Sequence, residues 1–319
     1  MAERPDRRRS GAMNATKGRV LVTGAAGEMG VRLVKRLAAE GWPVRALVLP
    51  ADPLRGRLDG IACEIAEGDV RDPASLGPAV AGVDTVFHLA AVILAKDPQL
   101  YDTVNRRGTG NLVAAAAAAG VRHFVYVSSA SVVYPRLTPY GQSKLDAEGL
   151  VRAERRFQHT IVRPTLVYDG TGGQEFMLFL AYLRRFPVVP FIGPGTARKS
   201  PVFSDDVVDG LYRMAGNPVA HGKTYNLSGG EAITLEELGR LLLAKHGQPK
   251  RFLHLPVGLC RALATMLEHT MKDPPLTPYG VAGFTNHADL DCGDAVRDLG
   301  YHPRGVREGI DHCFVFQRR

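Results

Sequence analysis

The feature that most constrains this chain is a regular alternation between two kinds of apolar pattern in its first half. Short apolar or β-branched runs are separated by longer stretches with helical spacing. The short runs are residues 19–23, 44–49, 63–66, 85–90, 124–128 and 160–162. The longer stretches include residues 29–40, 74–80, 101–119 and 140–155. Strands that alternate with helices predict βαβ units, and therefore a parallel sheet covered by helices on both faces.

The pattern changes in the second half of the chain. Prolines and glycines interrupt residues 187–201, which predicts a section rich in loops. Two helical patterns follow, at residues 235–245 and 257–269. We therefore expect an α/β fold in which residues 18–165 form a doubly wound parallel sheet and residues 166–319 form mainly a smaller lobe.

The second of these helical patterns has one apolar side, made of Leu259, Leu263, Met266 and Leu267. Residues three and four positions apart share a face of a helix. Such a stripe either faces the core of the smaller lobe or lies on a membrane surface. We expect the core-facing arrangement, which is the more common one.

The composition is that of a globular protein, with 319 residues of which 45% are hydrophobic and 23% charged. The formal net charge is +8, but residues 1–19 hold six basic and two acidic groups. Half of the excess therefore lies in residues 1–19, and we expect the basic tail, residues 1–17, to be disordered. The remaining chain shows no basic stripe interleaved with aromatic residues, so we expect no nucleic-acid partner.

No apolar run in the chain approaches the roughly 18–20 residues that cross a bilayer. The first twenty residues lack the apolar stretch of a secretory signal. We therefore expect a cytoplasmic protein without an integral membrane segment. The four cysteines lie far apart and form no CxxC pair, so we expect reduced thiols and no metal site.

A glycine-rich segment follows the first predicted strand directly and leads into a helix. It reads Thr23-Gly24-Ala25-Ala26-Gly27-Glu28-Met29-Gly30. Glycines in such a place allow a tight turn, a close approach of the backbone to a pyrophosphate, and close packing of helix on strand. The unpaired N–H groups at the start of the helix favour phosphate. We expect a dinucleotide to contact Gly24, Ala26, Gly27, Glu28, Met29 and Gly30.

This segment resembles the cofactor loop of extended short-chain dehydrogenases/reductases of the NAD-dependent epimerase/dehydratase family. Five further segments resemble that family in the same order, over roughly residues 18–312. They are Gly68-Asp69-Val70-Arg71-Asp72, Phe87-His88-Leu89-Ala90-Ala91, Val104-Asn105-Arg106-Arg107-Gly108-Thr109, Arg163-Pro164-Thr165-Leu166-Val167-Tyr168 and Val202-Phe203-Ser204-Asp205-Asp206-Val207. The resemblance implies a Rossmann-type sheet with a smaller carboxy-terminal substrate lobe.

The resemblance also implies roles for individual residues. Asp69, with Val70 beside it, is expected at the adenine ring. Leu89, Ala90 and Ala91 are expected along the ribose and pyrophosphate, and Pro164 and Thr165 beside the nicotinamide. We expect His88 to be a buried strand histidine without a chemical role, and Asn105 to be structural.

The sequence leaves the choice between NAD and NADP open. An acid that binds the ribose hydroxyls, or an arginine that binds the extra phosphate, is expected at the end of the second strand. That position holds Leu47-Val48-Leu49. Asp52 can reach hydroxyls, and Arg55 or Arg57 can reach a phosphate. Glu28 disfavours a second dianion nearby, so we favour NAD.

The segment Tyr140-Gly141-Gln142-Ser143-Lys144 has the spacing YxxxK. On a helix, residues four apart lie on one face. A tyrosine ordinarily has a pKa of about 10, and an ammonium one turn away favours the phenolate and lowers that pKa. We expect Tyr140 to be the general acid–base, and Lys144 to support it and to bind the nicotinamide ribose.

The family adds a hydroxyl donor after the fifth strand to polarise the substrate oxygen. Counted from the strand, Ser129 takes this place, with Ser131 in reserve; counted back from Tyr134, Ala130 takes it instead. We expect Tyr140 to exchange a proton with a secondary alcohol or ketone while Ser129 holds its oxygen.

Family membership leaves the reaction open. Dehydratases of the family carry an Asp-Glu pair after the catalytic hydroxyl, and this chain has Ala130 and Ser131, so we exclude dehydration. The turn after the sixth strand resembles the 3β-hydroxysteroid dehydrogenase and dihydroflavonol reductase branch, which implies an apolar alcohol. Arg198 and Lys199 lie near where epimerases hold a diphosphate, so a nucleotide-sugar epimerase or reductase is one alternative.

A non-catalytic NAD(P)-binding sensor or assembly subunit is the other alternative. Relatives of that kind typically lose the tyrosine or the lysine, and this chain keeps Tyr140 and Lys144. The partners implied are a small-molecule substrate and, at the level of the family, a second copy in a homodimer formed by two helices from each chain.

Overall fold

The computed structural model describes residues 17–95, 97–170, 173–271, 274 and 276–313, without the side chain of Gln174. Residues 1–16 of the predicted tail, and residues 314–319, lie outside the described residues. Within them the chain forms thirteen strands. The strands are β1 (Val20–Thr23), β2 (Val44–Val48), β3 (Glu64–Glu67), β4 (Thr85–His88), β5 (His123–Val127), β6 (Gln158–Pro164), β7 (Val167–Tyr168), β8 (Val188–Ile192), β9 (Arg198–Lys199), β10 (Val202–Phe203), β11 (Thr224–Leu227), β12 (Ile233–Thr234) and β13 (Arg251–Leu255).

Eleven α-helices accompany the strands in the same part of the chain. They are α1 (Glu28–Ala39), α2 (Pro73–Val80), α3 (Thr109–Ala118), α4 (Pro139–Ala153), α5 (Gln174–Arg185), α6 (Ser204–Tyr212), α7 (Leu235–Lys245), α8 (Val257–Thr270), α9 (Pro278–Thr285), α10 (Gly293–Leu299) and α11 (Val306–Asp311). A π-helical stretch, Tyr101–Gly108, runs directly into α3. The described helices include none long and apolar enough to cross a membrane.

Seven strands form one parallel sheet in the order β3-β2-β1-β4-β5-β6-β11. Every residue of β1, β2 and β4 is buried, as expected for a parallel sheet with helices on both faces. The chain leaves β1 towards β2 on one side and reaches β4 on the other. Ligands bind at the carboxyl ends of strands where the order reverses in this way. The doubly wound sheet predicted from the sequence is confirmed, and its reversal lies between β1 and β4.

The predicted division at residue 165 needs one change. β11 is the seventh strand of the large sheet and pairs with β6, so the chain returns to the first layer after residue 166. Helices α6 and α10 also pack on that layer, through Leu211 and Leu299. The smaller lobe is built from the parallel pair β8 and β13 with α5, α7, α8, α9 and α11 around it.

Helix α8 differs from the prediction. Leu259, Leu263 and Met266 are 63%, 42% and 56% exposed, whereas its buried residues are Cys260 and Ala264. The small side chains face the lobe because they allow α8 to lie close to α9. The large apolar side chains point outward, so the expectation of a core-facing stripe is wrong.

The turn between β1 and α1 depends on glycine at residue 30. A Cβ atom added to Gly30 would lie 2.1 Å from the carbonyl oxygen of Gly24 and 2.8 Å from Ala25 Cα. We expect Gly30→Ala to lower the free energy of unfolding by roughly 1–3 kcal/mol, because backbone atoms would have to move. Chemical denaturation measures the change.

Gly149→Ala is the matched control, since Gly149 is an exposed helical glycine with no atom within 4 Å of the added Cβ. It should leave stability unchanged or raise it by about 0.5–1 kcal/mol. Equal effects of the two substitutions would contradict a special packing at Gly30.

Candidate active site

The carboxyl ends of β1 and β4 meet at the glycine turn. Gly24 has a φ of 64°, and a Cβ there would lie 2.9 Å from the backbone nitrogen of Ala90. Gly27 stands at the start of α1, and no side chain caps that helix end. The exposed N–H groups and the close approach of two backbones form a cradle that fits a pyrophosphate. Leu89, Ala90 and Ala91 are half-buried along its second side.

The two arginines expected to favour NADP form ion pairs, whereas Asp52, expected to favour NAD, accepts a hydrogen bond from the N–H of Leu54 at 2.9 Å. Arg57 Nη1 lies 2.7 Å from Glu28 Oε1 and 3.5 Å from the carbonyl oxygen of Ala26. Arg55 pairs with Glu67 at 2.7 Å. The structure thus places Glu28 and Arg57 together at the phosphate cradle, where the negative charge of the carboxylate offsets the positive charge of the guanidinium. Ala26 is buried beneath them, and Met29 is half-buried in the first turn of α1.

Asp69 lies two residues beyond β3 and is engaged by a neighbour. Both of its carboxylate oxygens accept hydrogen bonds from Arg71, and this contact holds the pKa of Asp69 below its ordinary value. Val70 is buried, and a Cβ added to Gly108 would lie 2.7 Å from its Cγ2. The π-helical stretch therefore packs closely on the segment expected at the adenine.

His88 is a buried link between elements, as predicted. Its Nδ1 lies 2.7 Å from Thr23 Oγ1 and its Nε2 lies 2.9 Å from Thr109 Oγ1. Burial, together with the charge of Lys144, lowers the pKa of His88 to about 3, so the ring is neutral. Asn105 is structural too, because its amide bonds both the N–H and the carbonyl of Val92.

Pro164 and Thr165, expected beside the nicotinamide, are buried at the end of β6. The Thr165 hydroxyl donates to the carbonyl of Ser200. Its N–H donates to the carbonyl of Leu227 at 3.3 Å. Thr165 therefore links the end of β6 to the segment before β10. Because its hydroxyl and its N–H both donate to carbonyl groups of the protein, the residues around Thr165 would make the contacts to a ligand.

Ser129 and Tyr140 come together where β5 ends and α4 begins. Pro139 and the Thr138 hydroxyl, which accepts from the N–H of Gly141 at 3.0 Å, start α4 at this point. Ser129 Oγ accepts hydrogen bonds from Ser131 Oγ at 3.0 Å and from the Ser131 N–H at 3.1 Å. With two donors on its oxygen, Ser129 has its own hydrogen free to donate towards Tyr140 or a ligand.

The pKa of Tyr140 moves in the direction opposite to the prediction. The side chain is half-buried, and the loss of water around its hydroxyl raises the pKa, while the hydrogen bond with Ser129 lowers it by less. Lys144 was expected to lower this pKa. Lys144 is instead 2% exposed, and its ammonium donates to the carbonyl of Val127 at 2.6 Å and lies 4.3 Å from the centre of the Tyr126 ring. Tyr140 is therefore protonated at neutral pH in this structure.

The pKa of the Lys144 ammonium lies well below that of an ordinary lysine. Burial lowers the pKa of its ammonium to about 7, although the carboxylate of Glu148, one turn further along α4, raises it. Glu148 in turn accepts hydrogen bonds from Arg163 at 2.6 and 2.9 Å. The helix thus carries a phenol, an ammonium and a carboxylate at successive turns.

The sequence pointed to one charged residue of this site in a different role and gave no sign of another. Glu175, in the first turn of α5, acts electrostatically on Tyr140 and Tyr134, and the protein around it raises the pKa of its carboxyl. Lys199 was noticed only as a possible diphosphate contact. Burial lowers its pKa to about 8, its Nζ donates to the carbonyl of Asn286 at 2.6 Å, and the Tyr134 ring lies 6.0 Å away. Only the folded chain brings the first turn of α5 to the start of α4, so no local sequence signal identifies Glu175.

Known proteins are similar to this chain over most of its length. The profile of the NAD dependent epimerase/dehydratase family matches residues 20–228. A ceramide reductase of Caulobacter vibrioides (strain NA1000 / CB15N) is 31% identical over 306 residues, which are 95% of this chain and 95% of that protein. A 3 beta-hydroxysteroid dehydrogenase/Delta 5-->4-isomerase of Mycobacterium tuberculosis (strain ATCC 25618 / H37Rv) is 30% identical over 343 residues, 94% of this chain and 90% of that protein.

Solved structures of other proteins are also similar to this chain over most of its length. The crystal structure of gox2253 superposes with a TM-score of 0.78 at 26% identity, covering 93% of this chain and 97% of that one. MoeE5, solved in complex with UDP-glucuronic acid and NAD, has a TM-score of 0.71 at 26% identity, covering 95% and 99%. The chain therefore belongs to the NAD-dependent epimerase/dehydratase family, and the curated relatives named above are a reductase and a dehydrogenase.

Proposed function

We propose that this protein is an NAD(P)-dependent oxidoreductase that interconverts a secondary alcohol and a ketone on an apolar, hydroxysteroid-like or lipid-like substrate. The observation that carries the proposal is the meeting of Ser129 and Tyr140 at the carboxyl end of the sheet, with Lys144 on the next turn of α4. Relatives that act on a ceramide and on a 3β-hydroxysteroid support the apolar substrate class.

The nicotinamide of a bound cofactor supplies or accepts the hydride in such a reaction. The glycine turn, with Gly24, Gly27 and Gly30, would hold the pyrophosphate. Asp69 would face the adenine while its carboxylate also stays hydrogen-bonded to Arg71. NAD is favoured over NADP, because the additional ribose phosphate of NADP needs a cation. Arg57 is the cation at the cradle, and Glu28 already neutralises its charge.

Ser129 and Tyr140 have separate roles in the proposal. Ser131 fixes the oxygen of Ser129 through two hydrogen bonds, so that Ser129 donates its own hydrogen to the substrate oxygen. Tyr140, held protonated by burial, gives its proton to a ketone oxygen as the carbonyl carbon receives hydride. The cofactor-free site therefore favours reduction of a ketone, because Tyr140 already carries the proton that this direction needs. Ser131 acts through Ser129 and is a positioning residue.

Oxidation requires the opposite state of Tyr140. The phenolate needs a nearby cation, and Lys144 supplies it only if its ammonium is charged and leaves or shares the carbonyl of Val127. With a pKa of about 7, the lysine is close to its titration point at neutral pH. The balance between the two directions thus depends on the charge of one buried ammonium.

A nucleotide-sugar epimerase or reductase is the second candidate, and Lys199 is the observation that favours it. This buried ammonium, together with Arg198, lies in the segment where a diphosphate is expected. Arg198, however, pairs with Asp289 at 2.9 Å. The carboxylate of Glu175, which acts electrostatically on Lys199, would repel a diphosphate. These charges support a neutral substrate over a nucleotide sugar.

The homodimer expected from the resemblance to the family remains a prediction.

A panel of substrates and one substitution test the proposal together. Ceramides and their oxidised forms, 3β-hydroxysteroids and UDP-sugars are each offered with NAD(H) and NADP(H). The absorbance of the reduced cofactor reports oxidation or reduction, and chromatography of the UDP-sugars reports epimerisation, which leaves the amount of reduced cofactor unchanged. Turnover is expected with the apolar alcohols or ketones. Tyr140→Phe should lower kcat by roughly 10²–10⁴-fold, because the proton donor is removed.

Tyr212→Phe is the control, since this tyrosine lies on α6 against Arg36, outside the site. Turnover of UDP-sugars alone would establish the second candidate. Tight cofactor binding without turnover of any substrate would favour the sensor or assembly subunit.

The cofactor preference rests on the Glu28–Arg57 pair. We expect Glu28→Gln to strengthen NADP binding relative to NAD by about three- to fivefold, since an exposed pair contributes up to about 1 kcal/mol. Fluorescence titration with both reduced cofactors measures the ratio. Glu40→Gln makes the same charge change at the other end of α1 and should leave the ratio unchanged. An unchanged ratio in Glu28→Gln would remove this pair from cofactor selection.

The titration of Lys144 tests the electrostatics of the site. NMR of lysine labelled at its side chain, assigned with Lys144→Arg, should give a midpoint at about 7 in the cofactor-free protein. Glu148→Gln should move the midpoint to lower pH, because the lost carboxylate favoured the ammonium. Asp146→Asn, an exposed change on the same helix, should not move it. A midpoint near the ordinary value of 10.5 would show that the ammonium is hydrated.

A further inference from the structure

Tyr101 lies against the proton donor of the candidate active site. It begins the π-helical stretch and its side chain is half-buried. The centre of its ring lies 6.1 Å from the centre of the Tyr140 ring, and the two ring planes meet at 61° in an edge-to-face contact. Aromatic pairs favour this arrangement, because the positive edge of one ring faces the negative face of the other. The contact therefore orders the two rings relative to each other.

The ring of Tyr101 is itself held at its far end. Its hydroxyl donates to the carbonyl of Ile93 at 3.1 Å and accepts from the N–H of Ala95 at 3.0 Å. A tyrosine side chain has only two rotatable torsions, so its direction is fixed by the backbone at one end and by these two hydrogen bonds at the other. Tyr101 is thus anchored on residues 92–95, which we call the 92–95 segment.

The 92–95 segment is a firm anchor, because a second residue of the π-helical stretch also binds it. The Asn105 amide accepts from the N–H of Val92 at 2.8 Å and donates to its carbonyl at 2.9 Å. Asn105 is buried, and it stands four positions after Tyr101. The segment directly follows Ala91 of the phosphate cradle. The π-helical stretch therefore fixes the backbone that leaves the cradle and carries Tyr101.

The backbone of Tyr140 is tied to the same π-helical stretch. Asn105 also donates to Ser143 Oγ at 3.1 Å, and Ser143 Oγ donates to the carbonyl of Tyr140 at 2.7 Å. The main chain and the ring of Tyr140 are thus both held from one element, the first through Asn105 and the second through Tyr101. π-Helical geometry is rare in proteins and occurs frequently at functional sites.

A proton donor has to keep its position closely. Its oxygen must lie about 2.6–3.2 Å from the substrate oxygen, and a displacement of about 1 Å can cost roughly 100-fold in rate. Ser129 hydrogen-bonds the hydroxyl of Tyr140, and a bound substrate would contact that same hydroxyl. A contact on the side of the ring, as Tyr101 makes it, stays in place when substrate binds.

We propose that Tyr101 is a positioning residue that holds the ring of Tyr140 in the direction needed for proton transfer. Its ring is a fixed side wall for Tyr140, and its hydroxyl anchors that wall on the 92–95 segment. In this role Tyr101 acts through Tyr140 and transfers no proton itself. The inference rests on the proposed function, because it concerns the group that transfers the proton in that reaction.

Steady-state kinetics of two variants separates the ring of Tyr101 from its hydroxyl. Tyr101→Leu removes both, so it should lower kcat for the substrate found in the panel by roughly 10–100-fold, with less than about a twofold change in KM. Tyr101→Phe keeps the ring and loses the anchor, so it should lower kcat by only about two- to fivefold. A merely structural role would lower stability or cofactor affinity and leave kcat at saturation unchanged.

Two tyrosines outside the site supply matched controls. Tyr212→Leu removes a half-buried ring that lies over Arg36. Tyr225→Phe removes a hydroxyl that also makes two hydrogen bonds, to the carbonyl of Val219 and to Asp298. Both controls should lower the temperature of thermal unfolding without lowering kcat.

NMR of the ring of Tyr140 tests the positioning without turnover. The protein is labelled with tyrosine that carries ¹³C at the ring ε positions, and the Tyr140 signal is identified by its loss in Tyr140→Phe. A single sharp signal is expected in the unchanged protein. In Tyr101→Leu the signal should broaden or split, because the Tyr140 ring then samples more than one direction.

Hydrogen exchange tests the anchor. The N–H of Ala95 should exchange at least about fivefold faster in Tyr101→Phe, because its acceptor is removed. The N–H of Val92, which Asn105 holds, should exchange as in the unchanged protein.

These measurements distinguish failure of the inference from failure of the proposed function. If the unchanged protein turns over no alcohol or ketone, the proposed function is wrong, and the NMR signal still decides whether Tyr101 holds Tyr140. An unchanged Tyr140 signal or an unchanged kcat in Tyr101→Leu would overturn the inference. Should Tyr101→Leu not fold, Tyr101→Phe decides, and an unchanged kcat or unchanged exchange at Ala95 in that variant contradicts the inference.

Discussion

The close contact between the first turn of α1 and the turn after β1 is the constraint on which the site depends. Gly30 has no space for a Cβ because the carbonyl oxygen of Gly24 occupies it, and Gly24 itself approaches the backbone of Ala90. This contact brings the start of α1 and the end of β4 to one point at the reversal of strand order. A pyrophosphate cradle follows from the packing of backbone on backbone.

The second half of the site depends on a different kind of contact, a set of buried charges on α4. Tyr140, Lys144 and Glu148 follow one another at single turns, and Arg163 of β6 compensates the carboxylate. An uncompensated buried charge would be costly, and the carboxylate of Glu148 offsets part of that cost for the Lys144 ammonium, while Arg163 keeps Glu148 ionised. The same burial that moves the pKa of Lys144 down moves that of Tyr140 up, which leaves the phenol protonated.

Much of the fold was predictable, because strand and helix periodicity are local properties of the sequence. The α1 and α4 boundaries differ from the predicted ones by one or two residues, and α7 matches exactly in length and place. The features that the sequence did not predict, or predicted wrongly, were not local. The return of β11 to the large sheet depends on long-range pairing, and the outward direction of Leu259 depends on which side of α8 finds a partner. The pKa of Tyr140 depends on hydration, which a YxxxK spacing does not report.

The charges at the smaller lobe show why the site residues of such a chain cannot be inferred from its motifs alone. Glu175 and Lys199 belong to segments far apart in sequence, yet both act on the tyrosines at the end of β5 and the start of α4. A lysine alone in that position would attract a diphosphate, and a carboxylate alone would repel one. Because the two are electrostatically coupled, each reduces the charge that the other presents to a ligand. The neutral substrate that we propose would therefore lose least when it leaves water, and apolar contact would supply the remaining affinity.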